Sequence, residues 1–198
     1  MRVSREKSAE SRERILEAAA ALFREKGFDG IGLVDIMKAA GLTHGGFYAH
    51  FGSKEDLEAQ ALGLALARSV TDWSQLVDGA AARPLAALAG NYLAPVHREN
   101  VGEGCPFAAL GAEAARKGEP VRSAFTAGLE AFLALLSNVV PGRSKAQRRR
   151  KAIATLAVMV GAIILARAVN HPALSDEILA AASLDLSEAS DGSRGTGR

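Results

Sequence analysis

The sequence predicts an all-α protein with an N-terminal three-helix helix-turn-helix domain and a larger C-terminal helical bundle domain. Hydrophobic residues make up 48% of the 198 residues, and many of them are Ala and Leu, which favour helix. Aromatic residues are only 5%, and runs of β-branched residues are few. Apolar side chains recur at the spacing of a buried helical face, and Gly or Pro separates the segments.

The first helix is expected to follow a polar, mobile arm at residues 1–8 and to be capped by Ser8 or Ser11. Gly27 is expected to end it. The residues that repeat on its buried side are Ile15, Leu16, Ala19, Leu22 and Phe23.

A second helix is expected from about Leu33 to Ala40, with Gly32 as its N-cap and Gly41 as its stop. Thr43 is expected to cap a third helix from about His44 to His50. That segment is short and contains two glycines, so it cannot be helical alone. We therefore expect its aromatic residues, Phe47 and Phe51, to hold it by packing.

A fourth helix is expected to be capped by Ser53 and to run from Lys54 to about Val77. The Gly79–Pro84 stretch then breaks the chain. Further helices are expected at about 84–100, 105–117, 120–138, 145–169 and 175–184, with boundaries at Pro120, Pro141 and Pro172.

The longest apolar run, Ala152 to Ala166, is shorter than the roughly 18 residues of a membrane span. This run therefore predicts a helix buried in the protein rather than one that spans a membrane, and we expect no interaction with a membrane. From residue 187 the sequence is polar and rich in Gly and Ser, so residues 187–198 are predicted to be a disordered tail.

The charge and cysteine content restrict the protein class only mildly. Residues 1–54 carry nine Lys and Arg against seven Asp and Glu, and this excess equals the whole net charge of +2. Such an excess is consistent with nucleic-acid binding, but chance explains it equally well. Cys105 is the sole cysteine, and the N-terminus lacks an apolar leader segment. Both features favour a reducing, cytoplasmic location.

The second and third helices, joined by Gly41-Leu42-Thr43, form a helix-turn-helix whose third helix suits the major groove of DNA. Two glycines in that helix would let its backbone approach the bases closely. Three residues that can donate to phosphates follow, Tyr48, His50 and Lys54. Taken alone, each of them is more typical of an ordinary surface residue on a small helical domain.

Residues 14–57 contain an ordered, ungapped set of elements. These are Ala18-Ala19, Leu22-Phe23, Gly27-Phe28, Asp35-Ile36, Ala39-Ala40-Gly41-Leu42, Phe47-Tyr48-Ala49-His50-Phe51, Lys54 and Leu57. This stretch resembles the DNA-binding region of the TetR family of transcriptional regulators. The resemblance implies a ligand-responsive repressor that binds double-stranded DNA and has no catalytic activity.

The resemblance also implies roles for individual residues. The start of the recognition helix would be formed by Thr43, His44, Gly45 and Gly46, with His44 as the main base reader. The phosphate contacts would be Tyr48, His50 and Lys54, and the core residues Phe47, Phe51 and Leu57. The sequence departs from the family at Ile31-Gly32, where a Thr/Ser pair usually caps the second helix and touches phosphate. The cap is expected to weaken by a few tenths of a kcal/mol.

The resemblance further implies a DNA-binding domain at residues 1–54 and a ligand-binding and dimerisation domain at residues 55–186. The residues expected to contact an unknown small-molecule inducer are Trp73, Tyr92, His97, Cys105, Phe107, Phe125 and Phe132. Plain core packing is the alternative for each Phe, and solvation the alternative for His97. Cys105 is either an electrophile or oxidant sensor or a small core residue.

In the family, the last two helices form the homodimer, and two-fold symmetry implies an inverted-repeat operator. The face expected to pack on the partner consists of Leu156, Met159, Val160, Ile163, Ile164 and Arg167. Burial of this face inside one subunit is the alternative.

Rival classes find little support. The sequence has no Gly-rich phosphate loop, no Ser-His-Asp frame and no metal-ligand spacing among its four histidines. No enzyme, metal or cofactor is therefore expected. A helical adaptor that has lost operator binding remains an alternative. The basic cluster Arg148–Lys151 is interpreted as the solvated start of a helix, and binding to a membrane surface is the weaker alternative.

Overall fold

The computed structural model describes residues 5–80 and 83–191, which form nine α-helices and one 3-10 helix and contain no β-strand. The all-α prediction is confirmed. The elements are α1 (Arg5–Lys26), α2 (Leu33–Ala39), the 3-10 helix (His44–Ala49), α3 (Lys54–Gly79), α4 (Pro84–Tyr92), α5 (Pro95–Glu99), α6 (Pro106–Ala114), α7 (Glu119–Val139), α8 (Lys145–Ala168) and α9 (Pro172–Asp191).

The described residues divide into two compact units. The N-terminal unit comprises residues 5–67 and 101–128, and the C-terminal unit comprises residues 68–80, 83–100 and 129–191. Helices α3 and α7 therefore contribute residues to both. The predicted helix-turn-helix thus shares one compact unit with α6 and the first part of α7.

In the N-terminal unit, α1 packs against α2 and α6, and α2 packs against the 3-10 helix. The predicted apolar face of α1 provides buried side chains, since Ile15 and Phe23 are almost fully inaccessible. The Phe23 and Phe28 rings lie 5.3 Å apart. Ile36 and Met37 of α2 complete this core.

Two glycines end the first two helices as predicted. Gly27 has φ +79° and Gly41 has φ +67°, backbone conformations that L side chains rarely adopt. After α2, the Gly41 N–H donates to the Lys38 carbonyl and the Leu42 N–H to the Met37 carbonyl, both at 2.9 Å. This pair of bonds is the Schellman motif. At the start of α3, the Ser53 hydroxyl accepts from the Asp56 N–H at 3.0 Å, so this cap is confirmed.

In the C-terminal unit, α9 packs against α8 and α4, and α5 packs against α8. The buried stripe of α8 contains Ala152, Leu156, Met159, Ile163 and Ala166. Three residues of the face predicted to meet the partner subunit, Leu156, Met159 and Ile163, are therefore buried within one subunit. For these three residues the alternative interpretation, burial inside one subunit, is correct.

Arg167, from the same predicted face, also binds within its own unit. Its Nε donates to the Arg98 carbonyl at 2.9 Å and its guanidinium to the His97 carbonyl at 2.7 Å. The Arg98 guanidinium in turn donates to Ser175 and Asp176 at 2.8 and 2.6 Å. These bonds fasten α5 to α8 and α9.

Helix α8 is, within the described part of the chain, the one helix long and apolar enough to cross a membrane by length and composition. The core helix of a water-soluble protein meets the same criterion. The continuous buried stripe along α8 is typical of such a core helix.

Several predicted helix ends were wrong. Helix α1 begins at Arg5, before both predicted caps, so residues 5–8 are helical; residues 1–4 of the predicted arm lie outside the described residues. The predicted helix 84–100 is divided into α4 and α5, because Pro95 cannot continue a helix but suits its first turn.

The last helix was also predicted too short. Helix α9 starts at Pro172 itself and runs to Asp191, so residues 187–191 of the predicted tail are helical. Proline suits this start because its missing N–H would have no helical partner there. Residues 192–198 of the predicted tail lie outside the described residues.

Gly27→Ala should lower the free energy of unfolding by about 1–2 kcal/mol, because an L side chain at positive φ is strained. The new Cβ would also clash with the carboxylate of Glu113. Gly63→Ala is the control, because Gly63 lies inside α3 and its Cβ would meet no atom within 4 Å. It should stabilise by about 0.5–1 kcal/mol. Urea unfolding at one protein concentration measures both, and equal shifts would contradict the prediction.

Candidate functional site

The third element of the helix-turn-helix is a 3-10 helix rather than the predicted α-helix. The Gly46 N–H donates to the Thr43 carbonyl at 3.1 Å and the His50 N–H to the Phe47 carbonyl at 2.9 Å, both with three-residue spacing. Thr43 occupies the N-cap position, but its side chain makes no capping bond, so that part of the prediction was wrong. Two glycines in six residues weaken the preference for a full α-helix.

Two aromatic side chains anchor this helix. Phe47 is fully buried and Phe51 is 2% exposed, and their stacked rings lie 5.6 Å apart. The Arg12 guanidinium lies 5.2 Å from the centre of the Phe51 ring. Leu57 is fully buried as well. The prediction that these three apolar residues are core is confirmed.

The other side of the 3-10 helix faces outward. The side chains of Thr43, His44 and Tyr48 are exposed, that of Tyr48 by 70%, and His50 is half-buried. A Cβ on Gly45 would meet nothing within 4 Å, and one on Gly46 would meet only the Met37 side chain, at 3.8 Å. Packing within the chain therefore does not require either glycine, which leaves a surface open to a close partner.

Arg14 of α1 binds the turn that precedes the 3-10 helix. Its Nε donates to the Ala40 carbonyl at 2.9 Å, and one guanidinium nitrogen donates both to that carbonyl and to the Gly41 carbonyl, the latter at 3.1 Å. Ala40 is the C-cap of α2, so Arg14 satisfies carbonyls that a helix end leaves without partners.

Lys54, predicted as a phosphate contact, binds groups inside its own unit. Its Nζ donates to the Phe28 carbonyl at 2.6 Å and lies 3.8 Å from a carboxylate oxygen of Glu58. An ammonium group has three donors, so these contacts leave donor capacity at Nζ. Lys54 thus has a structural role that the sequence did not predict.

Glu58 is a buried carboxylate, 2% exposed, beside Lys117. The Lys117 Nζ lies 3.2 Å from Glu58 and 2.7 Å from Asp29. Burial raises the pKa of Glu58, although the hydrogen bond from Lys117 opposes this shift. The same lysine lowers the pKa of Asp29 through its hydrogen bond. The ammonium of Lys117 thereby joins the loop after α1 to α3.

Other polar contacts join residues 102–118 to the helix-turn-helix. The Glu113 carboxylate accepts from the Phe28 N–H at 2.7 Å, and the Gly118 N–H donates to Glu55 at 2.9 Å. The Arg24 Nε donates to the Gly102 carbonyl at 2.6 Å. The segment that carries α6 is therefore bonded to both α1 and the start of α3.

Four of the seven predicted ligand residues cluster in the C-terminal unit. The Trp73 ring lies edge-on to Phe132 at 4.7 Å and to Tyr92 at 5.5 Å, and Tyr92 lies 4.4 Å from His97. His97 is half-buried, its Nδ1 is 2.5 Å from the Tyr92 carbonyl oxygen, and burial lowers its pKa. His97 is therefore not the solvated residue of the alternative.

The other three predicted ligand residues belong to the N-terminal unit. Phe107 and Phe125 meet edge to face at 5.1 Å. Cys105 is 6% exposed and occupies the N-cap position of α6. A cleft of about 180 Å³ in the C-terminal unit contains none of the seven residues. Its lining is Leu85, Val140, Pro141, Lys151, Ala154, Thr155, Val158, Asp185 and Leu186.

Three further residues of this unit, Arg14, Glu58 and Lys117, were not predicted from the sequence. Arg14 directly precedes the buried Ile15, a position from which a long side chain can reach a neighbouring helix. Glu58 directly follows the buried Leu57, which places it at the edge of the core face of α3. Lys117 is far along the chain from its partners, so no local pattern could pair it with them. In the described residues, no three His, Cys, Asp or Glu side chains are grouped to hold a metal ion.

Two family sequence profiles match the chain. Residues 15–61 match "Bacterial regulatory proteins, tetR family", and residues 80–182 match "Tetracyclin repressor-like, C-terminal domain". The HTH-type transcriptional regulator LmrA of Bacillus subtilis is 30% identical over 162 residues, which cover 79% of this chain and 86% of LmrA. The HTH-type transcriptional repressor NemR of Escherichia coli is 29% identical over 134 residues, 66% of this chain and 67% of NemR.

Solved structures show the same fold. The reduced form of Escherichia coli NemR superposes with a TM-score of 0.73 at 24% identity and covers 89% of this chain and 94% of its own. A TetR transcriptional regulator from Chloroflexus aurantiacus gives 0.74 at 25% identity, covering 92% and 94%.

Glu58→Gln should gain stability relative to the wild type as the pH rises from about 4.5 to about 7. Because burial raises the pKa of Glu58, proton binding favours the folded state. That contribution is present at low pH and is lost as the pH rises through the raised pKa. Urea unfolding across this pH range measures the difference. Glu177→Gln, at an exposed position of α9, is the matched control for the chemical change. A free energy of unfolding of Glu58→Gln that falls relative to that of the wild type as the pH rises would contradict the prediction.

Proposed function

Because the chain belongs to the TetR family of bacterial regulatory proteins, we propose that it is a cytoplasmic repressor that binds an inverted-repeat operator as a homodimer and releases it when a small molecule binds. It is a transcription regulator and not an enzyme. In this proposal residues 1–54 bind DNA, and residues 55–186 bind the ligand and the second subunit.

The observation that carries the proposal is the outward surface of the 3-10 helix. The two glycines on this surface have no packing function within the described residues. The opposite side of the 3-10 helix is anchored in the core by Phe47 and Phe51. Such a surface lets the backbone at Thr43, Gly45 and Gly46 approach the major groove, where His44 reads a base. Phosphate contacts then come from Tyr48, His50 and the remaining donors of Lys54.

The proposed dimer interface uses the exposed side of α8 together with α9. Opposite its buried stripe, α8 exposes four large apolar residues by 38–57%. They are Ile153, Val158, Ile164 and Leu165. A Cβ on Gly161 in their midst would meet no atom within 4 Å, which permits close approach of a second helix. Leu174 and Leu184 of α9 are 42% and 64% exposed. Two-fold pairing of these helices would place two DNA-binding heads on one operator.

The proposed ligand response uses the bonds between residues 102–118 and the helix-turn-helix. This segment carries Cys105 and Phe107, two of the proposed ligand residues, and also Glu113 and Lys117, which bind Phe28 and Glu58. A ligand that favours a shifted position of α6 would therefore move the start of α3 as well. Ligand and DNA then oppose each other reciprocally, because each favours a different state.

Selection of binding sites from a random DNA pool tests this function. We expect an inverted repeat whose affinity falls steeply between two salt concentrations, because phosphate contacts release counterions. His44→Ala should cost about 1–3 kcal/mol at the selected site and relax the preference for one base pair in each half-site. Thr126→Ala, an exposed position on α7, is the control. A folded dimer without enrichment would instead favour a helical adaptor without an operator.

Ile164→Glu should convert the dimer to a monomer, because the proposed interface would bury an unpaired carboxylate at a cost of several kcal/mol. Val96→Glu is the control, since Val96 is 67% exposed on α5, outside the proposed interface. Sedimentation velocity at several concentrations distinguishes the two species. A dimer that survives Ile164→Glu but not Val96→Glu would place the interface elsewhere.

A further inference from the structure

We propose that Arg14 is a positioning residue for DNA recognition: its guanidinium sets the orientation of the 3-10 helix, and thereby how well the protein distinguishes its operator from other DNA. This inference rests on the proposed operator binding. It assigns Arg14 no contact with a base.

The geometry gives Arg14 direct control of the turn. Its Nε and one terminal nitrogen share the Ala40 carbonyl, and the same nitrogen reaches the Gly41 carbonyl at 3.1 Å. Both carbonyls lie at the C-terminal end of α2, where a cation is favoured by the helix dipole. The planar guanidinium fixes direction as well as distance, which an ammonium group cannot do.

In the described part of the chain, the start of the 3-10 helix has little side-chain restraint of its own. Thr43 provides no side-chain cap, and Gly45 has no neighbour that would restrain a side chain. Burial of Phe47 and Phe51 fixes how deeply the helix lies against the core. An apolar contact is non-directional, however, so it restrains rotation about the buried rings less well than a hydrogen-bonded fork.

Gly41 is adapted to this arrangement. Its φ of +67° suits glycine, and a Cβ there would lie 3.0 Å from the Arg14 guanidinium nitrogen. Glycine at this position therefore serves both the Schellman turn and the approach of Arg14. The neighbouring arginine of α1, Arg12, has a different function, because it donates to Gln60 of α3 and lies over the Phe51 ring.

Affinities for the operator and for a scrambled duplex, each over a range of salt concentrations, test the proposal in wild type, Arg14→Lys and Arg14→Gln. Arg14→Lys keeps the charge but loses the fork, so the ratio of operator to scrambled affinity should fall about tenfold, with the salt slope unchanged. Arg14→Gln should lower the ratio at least as much. Arg122→Lys, at an exposed position on α7, is the matched control.

Three results would overturn the proposal. If Arg14→Lys kept the wild-type ratio of operator to scrambled affinity, the paired hydrogen bonds of the Arg14 guanidinium would be dispensable. An equal loss on both duplexes in Arg14→Gln, with a salt slope lower by about one, would identify Arg14 as a phosphate contact. An equal loss on both duplexes with a lower melting temperature would identify a purely structural role.

Amide hydrogen exchange provides a measurement without DNA. The Gly41, Leu42 and Gly46 N–H groups close the turn and the 3-10 helix. We expect faster exchange at these amides in Arg14→Lys, with unchanged exchange in the core of α1. Unchanged exchange at all three amides would overturn the proposal. A wild type without operator preference would instead overturn the proposed function, while the exchange result would still decide whether Arg14 orients the helix.

Discussion

Burial of Phe47 and Phe51 is the interaction on which the N-terminal unit depends. A six-residue helix with two glycines has no stability of its own. Helix nucleation is unfavourable, and each glycine destabilises a helix by about 1 kcal/mol relative to Ala. The stacked rings supply the missing stabilisation from the side that faces the core. Folding therefore places no packing requirement on the outward side of this helix. The protein can therefore present the backbone at Gly45 and Gly46 outward without losing the helix that carries it.

Polar side chains complement this apolar anchor by fixing directions. Arg14 holds the turn before the 3-10 helix, while Lys117 and Glu113 hold the loop after α1 and the start of α3. Lys117 and Glu113 come from a segment about 60 to 90 residues away in sequence from their partners. The helix-turn-helix is therefore not an independent attachment, because its geometry depends on residues within the segment 80–182 that matches the C-terminal domain profile.

Local signals predicted most of the helices, because glycine, proline and serine act within a few residues of where they stand. Gly27, Gly41 and Ser53 mark ends that the structure confirms. The sequence could not show the 3-10 geometry of residues 44–49, since the same aromatic spacing fits an α-helix of that length. It also could not show which side of α8 is buried, because both sides are apolar, nor the long-range partners of Lys54 and Glu58. Such pairings depend on tertiary packing, for which a local pattern carries no information.

The open space around Gly45 has a consequence for how such a protein diversifies. Among the described residues, apart from the adjoining residues and backbone of the same helix, no atom lies within 4 Å of a side chain's first carbon there, and the backbone angle is not one reserved for glycine. New side chains can therefore appear at this position without a folding penalty to be compensated elsewhere. Because Gly45 lies on the surface proposed to meet DNA, a lineage could change that proposed contact by single steps, each neutral for the fold, and a protein engineer could randomise the position for the same reason.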